Sequence, residues 1–198
     1  PIQDQPLVEE TLSLYQAPAE IGKPVEWIQR VKVKAGSDLD WSQLVPNGVI
    51  VEDISPITPK ITGMIASRDS EIEYDIKFTT SAPEKHETVP ILIDSKWKKK
   101  VEVSSDASVH YYNTLSSTNI LEEKADISRL FSLNPRQVKI SKDVHLYLLK
   151  NNERIDITEN PDYNVELIDT DFNGETDTLQ WTVPRLSEEE FEVEVEII

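Results

Sequence analysis

The sequence predicts an all-β protein folded as two tandem β-sandwiches. Three observations carry this: strict apolar/polar alternation in several runs, turn residues between the runs, and a length of 198 residues. One small sandwich needs only about 100 residues, so two domains are expected. Period-2 alternation marks a strand with one face buried and one solvated.

Taken in order, residues 1–15 read as an extended arm. Pro1, Pro6 and Pro18 suit edge or linker positions, and Leu7, Leu12 and Leu14 do not alternate cleanly. The first domain, 16–85, opens on Val25, Trp27, Gln29, Val31 and Val33 at alternate positions, followed by a short candidate at Val49–Val51. Residues 71–78 alternate without error, Ile72, Tyr74, Ile76 and Phe78 opposing Glu71, Glu73, Asp75 and Lys77. This half is short for a complete sandwich. Either it borrows a strand from the N-terminal segment, or the two halves share a sheet.

Residues 81–90, polar and flanked by proline, read as the join to a second domain, 86–198. There the strand candidates are Trp97-(Lys99)-Val101-Val103, Val144-Leu146-Leu148, Val165–Ile168 and Leu179-Trp181-Val183. The C-terminal run sets Phe191, Val193, Val195 and Ile197 against Glu190, Glu192, Glu194 and Glu196. Leu121–Phe131 is the one plausible helix, with Ile127, Leu130 and Phe131 as its stripe. Asn47-Gly48, Ser55-Pro56, Asn160-Pro161, Asn173-Gly174 and Pro184 supply turn signals. Short strands at this spacing fit sandwiches of the immunoglobulin-like kind.

Composition narrows the function. A net charge of −17, from 37 acidic against 20 basic residues, opposes binding to nucleic acid or anionic lipid and favours divalent cations. Cysteine is absent, which excludes disulfides, thiol catalysis and thiolate metal sites, and argues for a prokaryotic source. No Asn-x-Ser/Thr triplet occurs, and no apolar run approaches the ~20 residues of a membrane-spanning helix. A chain opening on Pro1 fits a processed or excised fragment.

One segment carries chemistry. Asp169-Thr170-Asp171-Phe172-Asn173-Gly174-Glu175-Thr176-Asp177 follows the opening of a D-x-D-x-N-G-x-x-D calcium loop. Oxygen ligands from Asp169, Asp171, Asn173 and Asp177, with the Glu175 backbone carbonyl, can converge on a hard cation while Gly174 permits the sharp turn. Gly174 is the only glycine after Gly63. Gln180 stands where an EF-hand places its bidentate glutamate, so a site here is weak unless a neighbour such as Asp162 or Glu166 contributes. The competing reading is an Asx-rich hairpin turn without metal.

Other features point to structure. His86, His110 and His145 lack metal-ligand spacing, and no nucleophile motif or phosphate loop is present. A non-enzymatic protein is expected. Trp27, Trp97 and Trp181 fall in the core phase of their strands, whereas Trp41 lies in a loop and is the better candidate for ligand stacking. Lys99 falls in an inward phase, where a lysine snorkels or forms an amide crosslink. Paired strands would set Lys98 and Lys100 beside Glu192 and Glu194.

Several phrases together resemble repeat modules of large archaeal and uncultivated-bacterial cell-surface proteins. They are Pro18–Val33, Tyr74–Lys85, Lys99–Tyr111, Tyr163–Asp177 and Leu179–Phe191, the Tyr163–Phe191 stretch being the most distinctive; residues 123–142 fit the pattern poorly. The resemblance implies immunoglobulin-like modules of long envelope proteins, with Asp169, Asp171, Asn173 and Asp177 at ligand-like positions. The expected function is a structural or adhesive module of a cell-surface protein or extracellular filament, stiffened by Ca2+ and joined to neighbouring modules or copies of itself by strand addition. The alternative is a carbohydrate-binding module of a secreted enzyme.

Overall fold

The computed structural model describes residues 8–34, 40–47, 49–57, 71–105, 109–120, 140–174 and 176–197. Antiparallel strands dominate, and no α-helix occurs among the described residues. The helix expected over 121–131 lies outside them. The chain forms two compact units: one carries strands β1–β4, the other β5–β13 together with residues 19–23.

The first unit is one four-stranded sheet in the order β1-β2-β4-β3, with β1 Val8–Gln16, β2 Val25–Lys34, β3 Ile50–Pro56 and β4 Glu71–Thr80. Alternation in β2 buries Val25, Trp27, Val31 and Val33. In β4 the same pattern buries Ile76 and Phe78. Register pairs Trp27 with Phe78, and their rings stack with centroids 6.1 Å apart. The Trp27 indole donates to Thr80 Oγ1 at 2.9 Å, so a buried N–H is satisfied within the core. On the opposite face Arg30 grips Asp75 through two bonds of 2.9 and 3.1 Å.

Residues 8–16, most of them in the segment 1–15 read as an extended arm, form the edge strand of this sheet by pairing with β2, so the short first half does take a strand from the N-terminal segment. Two register irregularities interrupt β1, a device that discourages edge-to-edge pairing. Ser55-Pro56, expected as a turn, ends β3, where an edge strand tolerates proline.

The second unit is a sandwich. Its larger sheet has six strands: β10 (Glu153–Asp156), β9 (Ile140–Lys150), β13 (Glu188–Ile197), β7 (Lys96–Ser104) and β5 (Glu84–Glu87) in that order, with β6 (Ile91–Ile93) also on β7. The smaller sheet runs β11 (Glu166–Ile168), β12 (Thr178–Leu186), β8 (Tyr111–Asn119). The polar stretch read as a join therefore contributes β5. Trp97, Val101 and Val103 of β7, Phe191, Val193 and Val195 of β13, and Leu179, Trp181 and Val183 of β12 are all buried. Trp181 meets Phe191 across the two sheets at 5.4 Å between centroids.

The chain passes from β12 to β13 at Ser187, not at Pro184, which sits inside β12. β11 pairs only as far as Gln180, and Tyr163 O takes the Thr182 N–H at 2.6 Å. Position 184 lies past both, so the missing N–H of proline interrupts no ladder there. Two hairpins turn on residues at positive φ, Asp94-Ser95 (52° and 61°) and Asn151-Asn152 (53° and 63°), which match the twist of the strands they join.

The outer face of the large sheet carries a charge ladder. Register opposes Glu192 to Lys100 and Glu194 to Lys98, as the sequence pattern suggests. Glu194 is only 4% exposed and meets Lys96 at 2.8 Å, Lys98 at 3.0 Å and Arg154 at 2.5 Å. Burial raises its pKa, but the three cations outweigh burial and hold the carboxyl at about 2.

Candidate metal centre

The β11–β12 hairpin builds the site. Ile168 pairs with Thr178, and the Asp177 N–H donates to Ile168 O at 2.9 Å, closing the loop at its base. Within the loop Gly174 takes φ 90°, in the left-handed region its lack of a Cβ makes available. Phe172 takes φ 59°, a conformation costly for a bulky side chain, and its ring is 91% exposed.

This fold brings Asp169, Asp171 and Asp177 together, with one carboxylate oxygen of each lying within 4.8 Å of the others. Asp177 is buried, Asp169 half-buried and Asp171 exposed. The loop's own donors orient all three. Asp169 accepts from the backbone of Asn173 at 3.2 Å and Gly174 at 2.8 Å. Asp171 accepts from Asn173 N at 3.2 Å and from Asn173 Nδ2 at 2.8 Å. Asp177 accepts from Thr170 N at 3.0 Å, Thr170 Oγ1 at 2.7 Å and Thr178 Oγ1 at 2.7 Å. These bonds, the Thr170 hydroxyl first, pull the Asp177 pKa below the usual carboxylate range. Asn173 thus touches the cluster as a donor, through its backbone N–H and Nδ2. Glu175 lies outside the described residues, and Asp162 and Glu166 are not part of the group.

The donor set suits a hard cation. Calcium takes six to eight oxygens at roughly 2.4 Å, so oxygens on opposite sides of it stand about 4.8 Å apart. Three carboxylates and the Asn173 amide oxygen fall short of six, leaving the remainder to backbone carbonyl and water. No ion pair joins Asp169, Asp171 or Asp177 to a Lys, Arg or His among the described residues. Thr170 and Thr178 escape sequence reading, because their hydroxyls converge on Asp177 only once the hairpin register is known.

Trp27, Trp97 and Trp181 are interior, and Trp41 packs edge-on against Tyr74 at 4.9 Å. His86 lies 3.8 Å from Glu84 and His145 3.1 Å from Asp156, both pairs exposed and neither part of a metal cluster among the described residues. Lys99 is buried, its ammonium 2.5 Å from Glu87, which also meets Lys85 at 2.6 Å. No helix among the described residues is long and apolar enough to cross a membrane. Comparison of the chain with protein-family models, curated proteins and solved structures finds no match.

Proposed function

We propose that this chain is a structural or adhesive module of a cell-surface protein or extracellular filament, with Ca2+ held by Asp169, Asp171, Asn173 and Asp177. The observation that carries the metal reading is three carboxylates within 4.8 Å of one another, compensated among the described residues by N–H and O–H dipoles alone. Like charges that close favour a bound cation, and a dication bridging both ends of the loop would stiffen the β11–β12 hairpin. Its role is structural, since the cation would tie the two ends of one hairpin loop together.

Tandem β modules act through spacing and stiffness, and the neighbours proposed are further modules or copies of this chain. Strand addition takes one form here, exchange of β1 between copies, because β1 already pairs within its own sheet. Calorimetric titration of Ca2+ into chelator-treated protein tests the metal reading. The expected result is a dissociation constant of about 0.1–1 mM that Asp171→Asn weakens at least tenfold. No heat of binding, or an identical isotherm from the variant, contradicts it.

A further inference from the structure

Strand β8 runs its pattern the wrong way round. After the buried Tyr111 at its start, its core-facing positions are Thr114, Ser116 and Thr118, all 0–2% exposed, while Tyr112 and Leu115 stand exposed. Directly beside the hydroxyl row, β12 presents Val183, Trp181 and Leu179. Among the described residues none of the three hydroxyls has a hydrogen-bond partner, and neither does the indole N–H of Trp181 or of Trp97, both buried in the same sandwich. The Thr178 hydroxyl, by contrast, has two acceptors within reach for its one proton, Asp177 Oδ1 at 2.7 Å and Asn119 Oδ1 at 3.1 Å. Five orphaned polar groups in one core run against the rule that buried polar atoms are paired, and each unpaired group costs a sizeable part of a domain's net stability.

We infer that the second sandwich binds a file of ordered water molecules along Thr114, Ser116 and Thr118, reaching the indole N–H groups of Trp97 and Trp181. Spacing supports it. Inward positions two residues apart on a strand are roughly 6.7 Å apart. That is too far for a direct O–H···O bond of about 2.8 Å, and within the span of one or two bridging waters. The chemistry matches as well. An indole only donates, a hydroxyl both donates and accepts, and water needs two to four such partners. Ser116 and Trp181 occupy paired positions, which sets a donor and a hydroxyl on adjacent strands. No carboxylate is among the five groups, so a cation is not the ligand. Polar character continues at Ser117, whose carbonyl accepts from the Lys85 ammonium at 2.7 Å.

The deciding experiment is water–protein NOE and ROE spectroscopy on the intact chain, with Thr114→Val, Ser116→Ala and Thr118→Val alongside. Long-lived water should give cross-peaks to the Trp97 and Trp181 indole protons and to β8 amides. At least one variant should remove those peaks and lower the urea midpoint. Peaks absent from the parent, or persisting unchanged in all three variants, overturn the proposal. A dry core with unpaired hydroxyls predicts the opposite stability result, because Thr→Val would then raise the midpoint.

Discussion

Replacing Glu194 by glutamine should destabilise the second unit in a way that fades with acid. Glu194 is nearly buried beneath Lys96, Lys98 and Arg154, and the Arg154 guanidinium is itself seated 3.4 Å over the Tyr147 ring. Its carboxyl is held at about 2 against an ordinary 4.5. A folded-state pKa depressed in this way contributes stability that is fully present above 4.5 and is lost as pH falls through 2. At 1.36 kcal/mol per pKa unit the contribution at pH 7 is at most ~3 kcal/mol, a large share of a typical domain's 5–15 kcal/mol. About half of it should survive near pH 3, and almost none below pH 2, where parent and variant both present a neutral group. Urea unfolding of parent and Glu194→Gln from pH 7 down to pH 2 measures this directly. A difference between the two proteins that stays constant across that range would refute the reasoning.

Other perturbations follow from the same contacts. Thr80→Val strands the buried Trp27 indole N–H and should cost roughly 1–3 kcal/mol in the first unit, read from the denaturation midpoint. Burial alone would raise the Glu87 carboxyl, but Lys85 and Lys99 hold it below the usual range. Glu87→Gln should therefore destabilise the second unit, and Lys99→Met, which removes the buried charge itself, should do so by less; equal losses would contradict this ordering. At the loop tip, Phe172→Asn should leave stability unchanged or raise it by up to about 1 kcal/mol, because the exposed ring packs on nothing and asparagine tolerates positive φ. Gly174→Ala should cost about 1 kcal/mol or more at φ 90°, although the added methyl meets no atom.

Alternation made the long strands legible. Glu71–Phe78 and Glu190–Ile197 place their apolar residues by period alone, and the opposed lysines and glutamates of β7 and β13 follow once those strands pair. Short strands were harder. Glu84–Glu87 has no apolar residue and looks like a linker, yet Lys85 and Glu87 lie on its inner side, satisfied by each other and by Lys99. Pro184 misled because its effect depends on which neighbour stops short, a property of β11 rather than of β12. The acidic loop was legible in its ligand-type residues, whose spacing is local. The threonine hydroxyls that pin Asp177 were not, because Thr170 and Thr178 meet only through hairpin register. The inverted pattern of β8 past Tyr111 shows why its core face was hard to read: alternation places polar residues outside, and at Thr114, Ser116 and Thr118 they are inside.

The most direct test of the calcium-stiffened module is thermal unfolding of the intact chain with Ca2+ and with chelator, beside Asp171→Ala. Calcium at 100 times its dissociation constant should stabilise the parent by about 2.7 kcal/mol, seen as a rise of several degrees in Tm. The variant should show no such rise. Superimposable curves for the parent in calcium and in chelator would contradict the account, leaving Asp169–Asp177 as a hydrogen-bonded turn without a metal.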